Sequence, residues 1–235
     1  MRKNIKYIHE KKVHNLEIPQ QIVPEILKYF KIRTVIDMWW WIWAFTKVFL
    51  DNGIDAICVD WPWVNKNNLY IDEKYFIERD FEQYNVFWKK YDLAFSLEVA
   101  EHLQEKSAKN FVKTLCNCAD YVIFSAAVPY QWWQNHINEQ SPEYWKTLFE
   151  NEWYEICDCL RILFRDNKKI PWWYKNNIFL YHKQWTDIPN GLKNRWPIYT
   201  IHPDAYNELK IVSNSPRKSF RHLIWIILLK LNLIS

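Results

Sequence analysis

Glycine is the residue this sequence almost lacks. Gly53 and Gly191 are the two in 235 residues, where ordinary usage would give roughly 16. Glycine tolerates positive φ and lets backbone approach a ligand closely. Its scarcity excludes a glycine-rich nucleotide loop of the usual composition. Charge of one sign is also not concentrated. The 31 basic and 27 acidic residues leave a net charge of +4, too mild for the basic face of a nucleic-acid binder, and no nucleic-acid partner is expected. The opening MRKNIKYIHEKK has no apolar segment of the secretory kind, which predicts a cytoplasmic protein. Five cysteines include no CxxC pair. The two C-x-C pairs, Cys116/Cys118 and Cys157/Cys159, are a poor zinc signal alone, so no metal site is expected. They read as buried structural thiols, with Cys157 and Cys159 on one face of a strand.

What the chain has instead is tryptophan, 16 in all. With 49% hydrophobic and 25% charged residues the composition is that of a globular domain with a sizeable core. One stretch concentrates the anomaly, 35-VIDMWWWIWAF-45. A short apolar run ending in an acid reads as a strand, and AFTKVFLDNG after it reads as a helix stopped by Gly53. The turn between them carries Trp39, Trp40, Trp41 and Trp43, where a tight binding turn would carry small residues.

Around that turn the pattern alternates. Residues 19–32 predict an amphipathic helix, and strands are predicted at 34–38, 56–60, 75–80, 91–98 and 121–128, with a helix over 107–119. Ser141-Pro142-Glu143 combines a hydroxyl N-cap with proline at the first helical position. The runs 154–164 and 177–183 suit a terminal antiparallel pair. Strands alternating with helices imply an α/β fold, a mostly parallel doubly wound sheet with helices on both faces. Ligands of such sheets bind beyond the C-terminal strand ends, where strand order reverses, and the WWWIW segment falls on that edge. Three regions follow: a helical lead-in over 1–32, the α/β domain over 33–185, and an irregular connection with a helical tail over 186–235.

Asp60 ends the second predicted strand, 21 positions after Trp39, a spacing that places an acid to accept from ribose hydroxyls. Asp80 ends the third, where an acid can accept from an adenine amino group. With these acids, the segments SLEVAEHL (96–103), FSAAVP (124–129), HINEQ (136–140), YWKTLF (144–149) and PWWYKNNIFL (171–180) make the chain resemble class I S-adenosylmethionine-dependent methyltransferases over residues 33–183. The similarity is to a bacterial subgroup associated with surface-glycan or small-metabolite tailoring. It implies a Rossmann-like sheet of seven strands, S-adenosylmethionine as cofactor, and Asp37, Asp60 and Asp80 as acids for its ammonium, ribose and adenine.

The departures from that family cluster at its cofactor motif. Where the family has acid-x-G-x-G-x-G, Asp37 is kept but the glycine positions hold Trp39, Trp41 and Trp43, and Trp40 takes a small residue's place. Trp61 follows Asp60, Trp88 precedes the fourth strand, and the family's PGQGG reads PYQWW, with Tyr130, Trp132 and Trp133. Trp153 stands where NEGYE is usual, whereas Trp145, Trp172 and Trp173 match the family. Indoles at 39, 40, 41, 43, 61 and 88 are therefore expected to block the cleft, since overpacking costs about 1–3 kcal/mol per site.

Three functions follow. The first is a methyltransferase-like scaffold that does not bind its cofactor as written. The second is an active methyltransferase on a glycan or small metabolite, its indoles swung outward. The third, of another class, is a non-catalytic binder stacking tryptophan on sugars or nucleobases. For the chemistry the resemblance implies, His136 is the candidate base, His102 the second and Glu98 a further group. Trp132, Trp133, Asn138 and Glu139 lie on the substrate side. The tail, 217-RKSFRHLIWIILLKLNLIS-235, is too short for a bilayer span. It predicts a helix over 220–231 that docks on the domain or makes peripheral contact with anionic lipid. Nothing in the sequence fixes the oligomeric state.

Overall fold

The computed structural model describes residues 16–38, 43–62, 64, 70–131 and 135–192. Glu17–Leu27 forms α1, Thr34–Met38 β1, Ala44–Asp51 α2, Asp55–Asp60 β2 and Phe76–Glu78 β3. Leu93–Leu97 is β4, Ala108–Cys118 α3, Tyr121–Ser125 β5 and Pro142–Glu150 α4. Tyr154–Cys157 is β6, Leu160–Phe164 α5, Trp172–Asn177 α6 and Phe179–Lys183 β7. The described strands make one seven-stranded sheet of order β3-β2-β1-β4-β5-β7-β6. β3, β2, β1, β4 and β5 run parallel, and β7 runs antiparallel to both β5 and β6.

The local causes are legible. Val35, Ile36 and Met38 on β1 and Leu93, Ala94, Phe95 and Leu97 on β4 are fully buried. Such continuous apolar runs are what a central parallel strand covered on both faces requires. Gly53 ends α2 at φ 77°, and its amide donates to Leu50 O while that of Ile54 donates to Phe49 O, the turn glycine makes without strain. Ser141 caps α4 by accepting from the Tyr144 amide at 3.3 Å, with Pro142 in the first turn. The 19–32 helix is shorter than expected, and it is no mere lead-in. Its Ile22, Val23 and Ile26 are fully buried in the core.

The run 154–164 is not one strand. β6 stops at Cys157, and Cys159 is the N-cap of α5, so the two thiols do not share a strand face. The apolar run suits a strand by composition, whereas LRILF is helical, with Arg161 paired back to Asp158 at 2.6 Å. All five cysteines are nevertheless buried and in no disulfide. The tail over 217–235 lies outside the described residues, as does its predicted helix. No described helix is long and apolar enough to cross a membrane.

Strand order reverses between β1 and β4, so the chain leaving each strand diverges there. The ligand crevice expected at such a reversal opens over the C-terminal ends of β1, β2, β4 and β5.

Candidate active site

Asp37 lies on β1 with no exposure. Its Oδ2 accepts from Thr46 Oγ1 at 2.6 Å, so the first helix after the turn supplies its partner. Burial raises its carboxyl to about 7, opposed by the Thr46 hydroxyl and amide. Asp60, at the end of β2, is equally buried. Its Oδ1 accepts from the Trp61 amide at 2.7 Å and its Oδ2 from the indole Nε1 of Trp43 at 3.1 Å. Burial pushes this carboxyl well above the usual range, while those two donors act to hold it down.

Trp43 precedes α2 in the left-handed region, φ 56° and ψ 36°, a conformation that costs a non-glycine residue about 1–2 kcal/mol. Its side chain is 0% exposed and stacks on Phe76, ring centroids 4.2 Å apart and planes 23° apart. The indole thus spans from the start of α2 to β2 and β3. Trp61 is also buried, its ring tilted against Phe81 with centroids 4.7 Å apart.

Other positions behave differently. Trp88 was expected to block the cleft but is 97% exposed. It precedes β4, and in a parallel sheet the N-terminal ends of strands face away from the ligand edge, so its indole obstructs nothing there. Asp80 lies two residues past β3 and is exposed. Its Oδ1 accepts from the Glu82 amide at 2.9 Å, a local turn. Trp39, Trp40, Trp41, Trp132 and Trp133 lie outside the described residues. Tyr130 at φ 74° and Trp153 at φ 65° both sit in the left-handed region, and both are exposed. Trp43, Tyr130 and Trp153 are all positions where the resembled family has glycine.

Beyond β4 a second group of polar side chains assembles. Glu98 follows the strand at φ 54°, its amide bonded to Ser125 O and Oγ at 3.0 Å each. Its carboxylate accepts from Gln131 Nε2 at 3.0 Å and from Asn177 Nδ2 at 3.3 Å, and burial raises its pKa. A single helical turn over Ala100–His102 follows. The amides of Ile137 and Asn138 donate to the Glu101 carbonyl at 2.9 and 3.0 Å, which ties the HIN segment to that turn.

This clamp brings the two candidate bases together. His102 and His136 meet edge to face, ring centroids 4.9 Å apart. His102 Nδ1 donates to the Asn135 carbonyl at 3.1 Å. Burial and the neighbouring His136 depress its pKa to about 3, so His102 is neutral at any physiological pH. His136 Nδ1 meets the Glu139 carboxylate at 2.8 Å, the arrangement that orients an imidazole for proton transfer. Glu139 also accepts from the Tyr130 amide at 2.9 Å. Asn138 is buried and bonds Ala100 O and Gln140, which makes it a brace for the loop.

Glu101 falls with Glu98 and His102 just past the fourth strand, where the sequence places it. It is fully buried. Burial first, and then the charge of Glu98, push its carboxyl well above the normal range, against the amides of Glu101 and Ala127.

No family model matches this chain, and no curated protein matches it either. Among solved structures, magnesium protoporphyrin IX methyltransferase (ChlM) from Synechocystis PCC 6803 with bound SAH superposes with a TM-score of 0.51 at 12% identity. The match covers 73% of this chain and 84% of that one. An O-methyltransferase family protein from Burkholderia thailandensis gives a TM-score of 0.53 at 8% identity, over 74% of this chain and 56% of that one. The fold is a methyltransferase fold. Its acids at the ends of β1 and β2 and its polar cluster beyond β4 lie on the edge where such a sheet binds ligands.

Proposed function

We propose that this chain is a methyltransferase scaffold whose S-adenosylmethionine cleft is filled by its own side chains. One observation carries the reading: the Trp43 indole occupies Asp60 through its N–H and stacks on Phe76. Those are a hydrogen-bond donor and a flat ring in the crevice where a nucleoside would place its ribose hydroxyls and its base. Binding the cofactor would require expelling a buried indole worth about 3–5 kcal/mol to the fold. The acids for an incoming ligand remain, so the attraction is encoded while the space is taken. The acceptor class implied by the resemblance is a glycan or small metabolite, and the basic, apolar tail is a candidate for peripheral membrane contact.

Calorimetric titration of the intact chain with S-adenosylmethionine should give no saturable heat. The variant Trp39→Gly/Trp41→Gly/Trp43→Gly/Trp61→Gly, folded by circular dichroism, should bind in the micromolar range. Saturable micromolar binding to the unmodified chain overturns the blocked cleft. A folded glycine variant that fails to bind overturns the methyltransferase reading itself.

A second reading is favoured by the backbone. Trp43 and Trp153 hold the left-handed conformation that glycine adopts freely, in a chain with two glycines and sixteen tryptophans. On this reading glycine is the residue inserted at those positions in the native cell, and the enzyme is an active S-adenosylmethionine-dependent methyltransferase with His136 as base. Peptide mass spectrometry of the protein isolated from that cell separates the two.

A further inference from the structure

Apart from the contact of Trp43 with Asp60, Glu101, His102 and His136 each offer one donor atom, and these atoms all lie within 4.8 Å of one another. All three residues are buried. The two carboxylate oxygens of Glu101 have no hydrogen-bond partner among the described residues, although His136 Nε2 stands 3.9 Å from its Oε1. The Glu101 and Ala127 amides act on this carboxylate but stand outside hydrogen-bond geometry, and a buried charge so weakly compensated is strongly unfavourable.

The imidazoles supply the second observation. A carbonyl oxygen can only accept, so the Asn135 contact fixes the His102 proton on Nδ1 and leaves the lone pair on Nε2. The Glu139 carboxylate fixes His136 in the same tautomer, with the lone pair of Nε2 turned toward Glu101. A histidine whose Nδ1–H is held by a carbonyl or carboxylate is oriented as metal-ligating histidines are. Two imidazoles and one carboxylate bring three donor atoms to one place.

We propose that Glu101, His102 and His136 form a binding site for a divalent first-row transition cation. Two nitrogen donors with one oxygen select Zn²⁺, Co²⁺ or Mn²⁺ over Mg²⁺ and Ca²⁺, which prefer all-oxygen shells. At metal–ligand distances of about 2.0–2.2 Å, donors converge closer than in the structure, so binding draws the 135–139 loop toward the turn at Glu101. Three protein ligands leave open positions, and the site lies at the C-terminal end of β4 beside the methyl-transfer edge. The ion there would act as a Lewis acid on an oxygen of a bound acceptor. The site is built apart from the contact of Trp43 with Asp60, because its donors come from the turn after β4 and from the 135–139 loop.

The test is metal binding to the untagged full chain, made metal-free with a chelator and titrated with CoCl₂, ZnCl₂ and MgCl₂. Co²⁺ should bind with a visible d–d spectrum, Zn²⁺ should displace it, and Mg²⁺ should not. Glu101→Gln and His136→Gln should each weaken Co²⁺ binding by about 100-fold, and Glu139→Gln by about 10-fold through loss of orientation. Glu101→Gln should also raise the melting temperature of the metal-free chain while abolishing its rise on adding Zn²⁺. A purely structural carboxyl would not couple those two readouts. No Co²⁺ spectrum, or a spectrum unchanged in both Glu101→Gln and His136→Gln, overturns the site. If Glu101→Gln fails to fold, His102→Gln takes its place with the same expected loss.

Discussion

The indole N–H of Trp43 donates to Asp60 Oδ2 at 3.1 Å across 17 residues of sequence. That bond joins the first turn of the sheet to the end of its second strand, the two places that the crevice of a methyltransferase fold sets face to face. Asp60 accepts from Trp43 on one oxygen and from the Trp61 amide on the other, so both of its oxygens are engaged by the protein itself.

Trp43→Gly should relieve the left-handed backbone, worth about 1–2 kcal/mol, but lose a fully buried indole worth about 3–5 kcal/mol. The net expectation is a loss of about 2–3 kcal/mol, read from urea denaturation. A variant as stable as the parent would mean that the indole contributes little packing.

Trp153→Gly should act in the opposite direction. Its φ is 65° and its side chain is 64% exposed, so little burial is lost while the backbone strain is removed. A gain of about 1 kcal/mol is expected. Trp153→Ala should give no such gain, because alanine pays the same penalty for its Cβ.

Asp37 should make the domain sensitive to alkali. Burial holds its carboxyl at about 7, so the folded chain keeps a proton that the unfolded chain releases above about pH 4. The Asp37 contribution is therefore complete below pH 4 and is lost as pH rises through 7. Asp37→Asn removes that slope while keeping an acceptor for Thr46. At pH 8 the variant should be more stable than the parent by up to about 4 kcal/mol, and the difference should vanish near pH 4. Thermal melts of both proteins across that range give the comparison.

The thiols should be silent in the native state. Burial pushes Cys58 and Cys116 well above the ordinary thiol range and Cys118 to about 12, and the thiolate is the reactive form. Ellman's reagent should find five thiols in denaturant and none within minutes under native conditions. A fast-reacting thiol would place at least one cysteine at an opening part of the surface.

Asn177 should matter to the polar cluster. Its Nδ2 donates to Gln131 Oε1 at 2.9 Å and to Glu98 Oε1 at 3.3 Å, joining α6 to the end of β4. Asn177→Ala leaves both acceptors short of a donor in a buried site, at a cost of about 1–3 kcal/mol. Chemical denaturation reads the loss directly.

The sequence by itself determined the elements whose causes are local. The apolar run of β1, the Gly53 stop of α2 and the Ser141-Pro142 start of α4 depend on neighbours in the chain, and βα alternation then leaves few topologies. The acids Asp37 and Asp60 were also legible, because their strand-end positions are set by that same alternation. Elsewhere the strand direction or a single side-chain pairing decided. Trp88 looked like an obstruction until the sheet put it on the edge away from the crevice. The 154–164 run looked like one strand until Asp158 and Arg161 closed a helical turn. Only the tertiary structure placed the Trp43 indole on Asp60, and only the clamp of Ile137 and Asn138 on the Glu101 carbonyl brought His136 to His102 and Glu101. Those meetings join residues about 17 to 35 positions apart through strand order and loop closure, and no periodicity in the chain encodes which side chains then come within reach.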